Sequence, residues 1–207
     1  MNFQTIKYFI SISFILWLFV LAMPPQKAQS KFSESLYKID TAKSIIHWNC
    51  HHRGTMKFKS GNILLINREP SEIDLHIDMN SITNSDIDNK LLQGTLVNVL
   101  KSIEFFNTEK YPESRFESHQ ITKIDENHYN FEGDFIIFEA GICSNFKGSI
   151  KFINDSLHFN TETITLDRTN WGLYYVSANN PYPKDEEGGF VVTDTILLDA
   201  HIIAYKK

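Results

Sequence analysis

The stretch Ile73-Asp74-Leu75-His76-Ile77-Asp78-Met79 sets apolar and polar residues in strict alternation. Side chains along a strand point to opposite faces in turn. Ile73, Leu75, Ile77 and Met79 therefore share one face, and Asp74, His76 and Asp78 the other. A helix would need a period of about 3.6 residues, so the stretch is a half-buried antiparallel strand.

The same period recurs on both sides of it. Ser44 to Asn49 places Ile46 and Trp48 together, and Thr55 to Ser60 opposes Met56 and Phe58 to Lys57 and Lys59. A turn is expected at Gly61-Asn62, with a short apolar run over Ile63 to Ile66. Downstream, strands are expected over 115–124, 129–138, 146–153, 157–167 and 191–205. Tyr129, Phe131, Gly133, Phe135 and Ile137 share one face, and a glycine in mid-strand implies sharp coiling or close approach of a neighbour. One segment departs from the pattern. Leu91, Leu92, Leu96, Val99 and Leu100 are spaced nearer to helical period, which predicts one or two short helices interrupted around Gly94. Roughly eight strands with one helical insertion point to an antiparallel barrel or sandwich. The long segment 171–189 reads as a lid, a binding loop or a disordered loop.

The N-terminus carries an export pattern. Lys7 precedes an uncharged apolar run from Tyr8 to Met23, then Pro24-Pro25, then the small-x-small site Ala28-Gln29-Ser30. Residues 1–30 are read as a removable signal, with an uncleaved membrane anchor as the alternative. That leaves 31–207 as one domain, led in by a short disordered stretch at 31–36. The expected location is exported and periplasmic. The net charge of −5 is spread along the chain with no basic stripe, which excludes nucleic acid as the partner. Cys50 and Cys143 could pair in such a compartment, provided that their Cα atoms lie within about 7 Å.

Sites of chemistry are sparse. His47, Cys50, His51 and His52 cluster, but adjacent histidines on a strand face opposite ways and no second group completes a metal site. A polar loop is the default there, and no metal is expected. There is no Gly-x-Ser-x-Gly elbow. Asp185-Glu186-Glu187 lacks the ligand alternation of a calcium loop and reads as a solvated turn. Arg168 is different, because it follows Ile164 and Leu166 on an inward face. A charge there must be paired. Two readings stand for it: a clamp on loop carbonyls or an ion pair that closes the barrel, and an anchor for a ligand head group.

These residues resemble the YceI family of exported polyisoprenoid-binding proteins. The resemblance runs in order through Tyr37-Lys38-Ile39-Asp40-Thr41-Ala42-Lys43-Ser44 with Trp48, then Gly54-Thr55-Met56-Lys57-Phe58, then Ile77-Asp78-Met79-Asn80-Ser81-Ile82. It continues through Leu100-Lys101-Ser102 with Phe105-Phe106, Lys110-Tyr111-Pro112 with Phe116, Gly133-Asp134, and Leu166-Asp167-Arg168-Thr169-Asn170-Trp171. It implies an all-β, extended, lipocalin-like barrel of eight antiparallel strands with a short helical insertion, holding a prenyl chain inside. The segment Gly133 to Ile142 and the helix start at Gly94-Thr95-Leu96 depart from the family pattern, so the rims are expected to differ.

The resulting expectation is non-enzymatic binding, transport or sequestration of an apolar isoprenoid or other long-chain lipid, with no cofactor. Transient membrane contact and a homodimer are left open. Strand alternation and the motifs nominate Trp48, Phe58, Leu75, Ile77, Met79, Phe105, Phe116, Phe131, Phe135, Leu166 and Trp171 as pocket residues, with Arg168 as their polar neighbour. Two alternatives stand beside it. One is a small enzyme using His47, His51 or His52 with an acid, and the other a stress-related interaction protein with a closed core.

Overall fold

Pairing begins where the alternation is cleanest. In the computed structural model, which describes residues 32–181 and 191–207, the segment Glu69–Asp78 forms a strand with Ile73, Leu75 and Ile77 buried. In chain order the strands are β1 (Glu34–Ile39), β2 (Ile45–Cys50), β3 (His52–Ile66), β4 (Glu69–Asp78), β5 (Glu113–Lys123), β6 (His128–Ile137), β7 (Ala140–Ile153), β8 (Ser156–Thr161), β9 (Ile164–Asp167) and β10 (Thr195–Lys206). Among the described residues one α-helix, α1 (Lys90–Lys101), lies between β4 and β5. The export signal expected at 1–30 falls outside the described residues, as do 182–190 of the long loop.

Every pairing is antiparallel, and β10 closes the sheet on β8 as well as on β2. Ten segments make eight positions in the ring. β1 and β2 are one interrupted strand between β3 and β10, broken at the Asp40–Ser44 turn. β8 and β9 likewise pair with successive parts of β10, with Ile202 opposite Phe159 and Ile196 opposite Leu166. The result is the expected eight-stranded antiparallel barrel, which leaves no long free edge.

Four local expectations are corrected. Residues 34–36, expected in the disordered lead-in over 31–36, belong to β1, where Glu34 pairs with Ile66 and Leu36 with Leu64. The turn expected at Gly61-Asn62 is absent, and β3 runs straight through it. Gly61 is there for closeness, since a Cβ would stand 2.9 Å from the Leu75 side chain and 3.0 Å from that of Ile39. Helix α1 is continuous through Gly94, because its stop is set elsewhere: Asn89 caps Leu91 and Leu92, and Ser102 ends it on Asn98 and Val99. The strand expected over 157–167 is split after Thr161.

Gly133 does what a mid-strand glycine implies. A Cβ there would lie 2.2 Å from the carbonyl oxygen of Glu117, beside a register shift between Ser118 and Gln120. That β-bulge turns β5 and tightens the local twist.

The two ends of the barrel are built differently. At one end, β3 joins β4 through Asn67-Arg68, both at positive φ, and β7 joins β8 through Asn154-Asp155. The other end carries the connections that contain α1 and the 3-10 turn Arg168–Trp171. Near the tight end the interior is solid: Ile63, Ile73, Phe131, Leu157, Ile202 and Ala204 have no exposed surface.

Candidate functional site

Toward the other end the interior is open. A cavity of about 160 Å³, counted as the space in which a water-sized sphere can place its centre, lies inside the barrel. Its walls come from every strand from β2 to β10, with α1 adding Leu96, Val99 and Leu100. The alternation that drives strand formation also makes the wall: every second residue must face inward, and here those residues are almost all apolar. Phe116, Phe146 and Phe159 lie where the cavity meets the solid half, and Phe131 stacks on Phe146 at a centroid distance of 5.3 Å. No Asp or Glu lines the cavity among the described residues.

Nine of the nominated residues stand on this wall: Trp48, Phe58, Leu75, Ile77, Met79, Phe105, Phe116, Phe135 and Leu166. Two of them are fixed by their own polar or soft atoms. The Trp48 indole donates to the Thr83 carbonyl at 3.1 Å, and Met79 Sδ accepts from the Ser114 hydroxyl at 3.1 Å. Phe131, Arg168 and Trp171 do not line the cavity. Phe131 faces inward as its alternation requires but sits deeper, packed against Phe159 as well as Phe146. Trp171 donates to the carbonyls of Phe135 and Ala140, tying its loop to the β6–β7 hairpin.

Arg168 is fully buried, and its guanidinium is committed within the protein. It donates to the carbonyls of Leu173 and Tyr175 at 2.8 Å, and to those of Val192 and Thr193 at 3.2 Å. Asp194 Oδ1 lies 3.0 Å from Nη2 and balances the charge. The Phe105 ring packs against the same group, 5.6 Å from Cζ. Of its two readings, this is the clamp on loop carbonyls: it holds the chain on either side of the loop against the barrel. Tyr175, Val176 and Val192, all held by or next to these contacts, then reach the cavity wall.

The ionisable residues on the wall include Cys50, His51, His52 and Arg115, the last with its side chain turned outward onto Glu117 at 2.7 Å. His52 lies 3.3 Å from Asp86, and the rings of His51 and His52 meet edge to face. His47 faces outward between Thr55 and Asp199. Burial pushes the Cys50 thiol up from its ordinary pKa; Arg168 opposes the shift and Asp194 adds to it. Cys50 is therefore held as the thiol, which is a poor nucleophile. It does not pair with Cys143, and both are free. β2 and β7 are not neighbours in the ring, and Cys143 lies on the outer face while Cys50 turns toward the cavity.

Sequence reasoning passed over several wall residues. Ile46 and Met56 share the faces of Trp48 and Phe58, and the inward row Ile196, Leu198 and Ala200 of β10 was legible by the same period. Phe146 and Phe159 carry the same signal. The contribution of α1 had no such signal, because only packing decides which helix face meets the barrel.

Residues 37–204 match the family of the YceI-like domain, which is most of the chain. The chain belongs to that family. Among solved structures, the YceI-like fold seen here resembles Burkholderia cenocepacia BcnA, with a TM-score of 0.61 and 17% identity over 80% of this chain and 98% of that one. It also resembles a polyisoprenoid binding domain from Saccharophagus degradans implicated in plant cell wall breakdown, with a TM-score of 0.57 and 14% identity over 86% of this chain and all of that one (100%). A Campylobacter jejuni YCEI protein gives 0.52 and 19% over 67% and 74%. At these identities the likeness is one of fold. A search of curated proteins gives no match.

Proposed function

We propose that this YceI-like protein is a non-enzymatic carrier or sequestering protein for an isoprenoid-type lipid, whose apolar chain enters the barrel toward Phe116, Phe146 and Phe159. The observation that carries the reading is a cavity inside the barrel whose exposed inner surface is almost wholly apolar, with no carboxylate among the described residues. Each CH₂ moved out of water contributes about 0.8 kcal/mol, so a prenyl chain binds without a polar anchor. This suits the commitment of Arg168 to loop carbonyls. The name of the Saccharophagus neighbour supports the ligand class.

The solid half of the barrel sets a limit on the ligand. A chain longer than the cavity must leave part of itself at the mouth, near α1. There Leu91, Leu92 and Ile103 are exposed, which suits a passing contact with a lipid surface. The export pattern of residues 1–30 supports a carrier that works outside the inner membrane, where a prenyl lipid needs an apolar container to cross water.

The test is uptake of prenyl quinones of graded chain length, followed by native mass spectrometry and by fluorescence of the wall tryptophan Trp48. The wild-type protein is expected to take up one lipid per chain. Ala200 lines the cavity on β10, and Ala200→Phe is expected to weaken uptake at least tenfold while the unfolding temperature stays close to the wild type. Absence of uptake by the wild type, or undiminished uptake by Ala200→Phe, overturns the proposal.

A further inference from the structure

The outer surface of the barrel carries a second constellation, on the other side of the wall from the cavity. His119 on β5, Asp134 on β6 and Cys143 on β7 each offer one ligand atom, and these atoms all lie within 4.8 Å of one another. Asp134 stands directly across from Cys143. His119 reaches them through the β-bulge: Ser118 pairs with Gly133 and Gln120 with Glu132, so His119 is the extra residue. Both His119 and Gln120 consequently face solvent, although they are consecutive. The bulge sits where Ser118 Cα comes within 2.8 Å of a Cβ on Gly133, a closeness that only glycine permits.

The chemistry of the set is specific. An imidazole nitrogen, a carboxylate oxygen and a thiol sulfur are the donors that zinc accepts in tetrahedral sites, whereas calcium and magnesium take oxygen. Zinc bond lengths near 2.0 Å to nitrogen and oxygen place two such tetrahedral ligands about 3.4 Å apart. His119 Nε2 and Asp134 Oδ2 are already 3.3 Å apart. Only the sulfur has to close in, and Cys143 is an exposed side chain at a strand surface. Glu117, across from Asp134, adds negative field, although Arg115 engages it at 2.7 Å.

We propose that His119, Asp134 and Cys143 form a surface site for a thiophilic divalent cation, with zinc the best match and a water in the fourth position. On binding, the Cys143 thiol gives its proton to solvent and the thiolate bonds the metal, so affinity rises with pH. The bound ion would staple β5, β6 and β7 across the bulge. An ion that binds the folded chain alone also stabilises it by mass action.

The test uses the purified full chain, stripped with chelator and titrated with Co²⁺ and then Zn²⁺. A near-ultraviolet sulfur-to-cobalt charge-transfer band is expected to saturate at one ion per chain and to collapse when Zn²⁺ is added. The band should vanish in Cys143→Ser and persist in Cys50→Ser. His119→Gln should weaken binding by about tenfold or more, since losing even an outer-shell partner costs that much. The unfolding temperature should rise with Zn²⁺ in the wild type and in Cys50→Ser, but not in Cys143→Ser. A band that survives Cys143→Ser, unchanged affinity in His119→Gln, or no stoichiometric binding by the wild type overturns the proposal. Lipid uptake by Cys143→Ser, measured in parallel, reports on the cavity independently.

Discussion

The two halves of the barrel interior are made from the same strands and the same apolar alphabet, yet one is solid and the other hollow. In β3 the inward row passes from Met56 and Phe58 on the cavity wall to Ile63 and Leu65 in the sealed core. In β4 it passes in the other direction, from Ile73 in the core to Leu75 and Ile77 on the wall. The difference does not lie in hydrophobicity. It lies in what closes each end: one is crossed by short turns alone, while the other carries, beside the short β2–β3 and β6–β7 turns, the long connection with α1 and the loop held by the Arg168 clamp. Patterning makes a barrel wall, while the connections decide whether the wall encloses packing or space.

The largest effect is expected from breaking the clamp. Arg168→Met leaves four carbonyls without their donor and Asp194 without its counter-charge, a loss of about 3–5 kcal/mol by the usual cost of orphaning a buried ion. Urea unfolding should report it, and hydrogen exchange should show lost protection first in residues 173–176 and 192–194. Wild-type protection there in the variant would mean that the loop is held by something other than Arg168.

A matched pair of substitutions then compares the halves directly. Ile63→Ala and Ile77→Ala delete the same atoms, from the core and from the cavity wall respectively. Truncation in a close-packed site costs the transfer free energy plus a new void, whereas the cavity face already lacks partners on one side. Ile63→Ala should cost about 4 kcal/mol and Ile77→Ala about 2 kcal/mol. Their effects on lipid uptake should be reversed in order. Equal losses of stability would mean that the hollow half packs as densely as the solid one.

How legible this was in the sequence follows from the same comparison. The alternation of Ile73 to Met79 and Tyr129 to Ile137 gave the strands and their inward faces, because a period of two depends on nothing beyond the strand itself. Phe131 and Phe135 are equivalent by that rule, yet one lies in the core and the other on the cavity wall. Depth along a strand is set by where the ring closes, which no local pattern records. β1 was missed because Glu34 to Lys38 alternates only weakly and depends on Ile63 to Ile66 for its partners. Arg168 was legible as a buried charge, but its partners at 173, 175, 192 and 193 are carbonyls, which carry no residue signature. The His119, Asp134 and Cys143 group had no signal in the sequence, since strand order and one bulge bring it together.

The smallest effect belongs to the outside of the wall and should leave both halves of the interior alone. His76 points outward from β4, with Nδ1 2.7 Å from Glu113 Oε1 and Nε2 3.2 Å from Asp74. Lys59 holds the other oxygen of Glu113 at 2.9 Å. Burial pulls the His76 pKa down, but Glu113 and Asp74 outweigh it, and the net shift is upward from the ordinary value. Glu113 is shifted downward: burial raises it, and the contacts with His76 and Lys59 more than reverse that. A histidine whose folded pKa is raised lends stability that is complete below its unfolded pKa of about 6.5 and fades as pH rises through the folded value. Glu113 lends stability present above about pH 4.3 and lost as pH falls through its own depressed value. Near pH 5.5 both contributions stand, and once the pH has risen well past the raised folded pKa of His76 its contribution is gone. His76→Gln should therefore cost a few tenths to about 1 kcal/mol at the lower pH and close to nothing at the higher, as expected of a partly exposed pair. Lipid uptake should match the wild type at both, because the imidazole and the cavity lie on opposite faces of β4. A cost that grows with pH would mean that His76 is held neutral, and that Glu113 owes its shift to Lys59 alone.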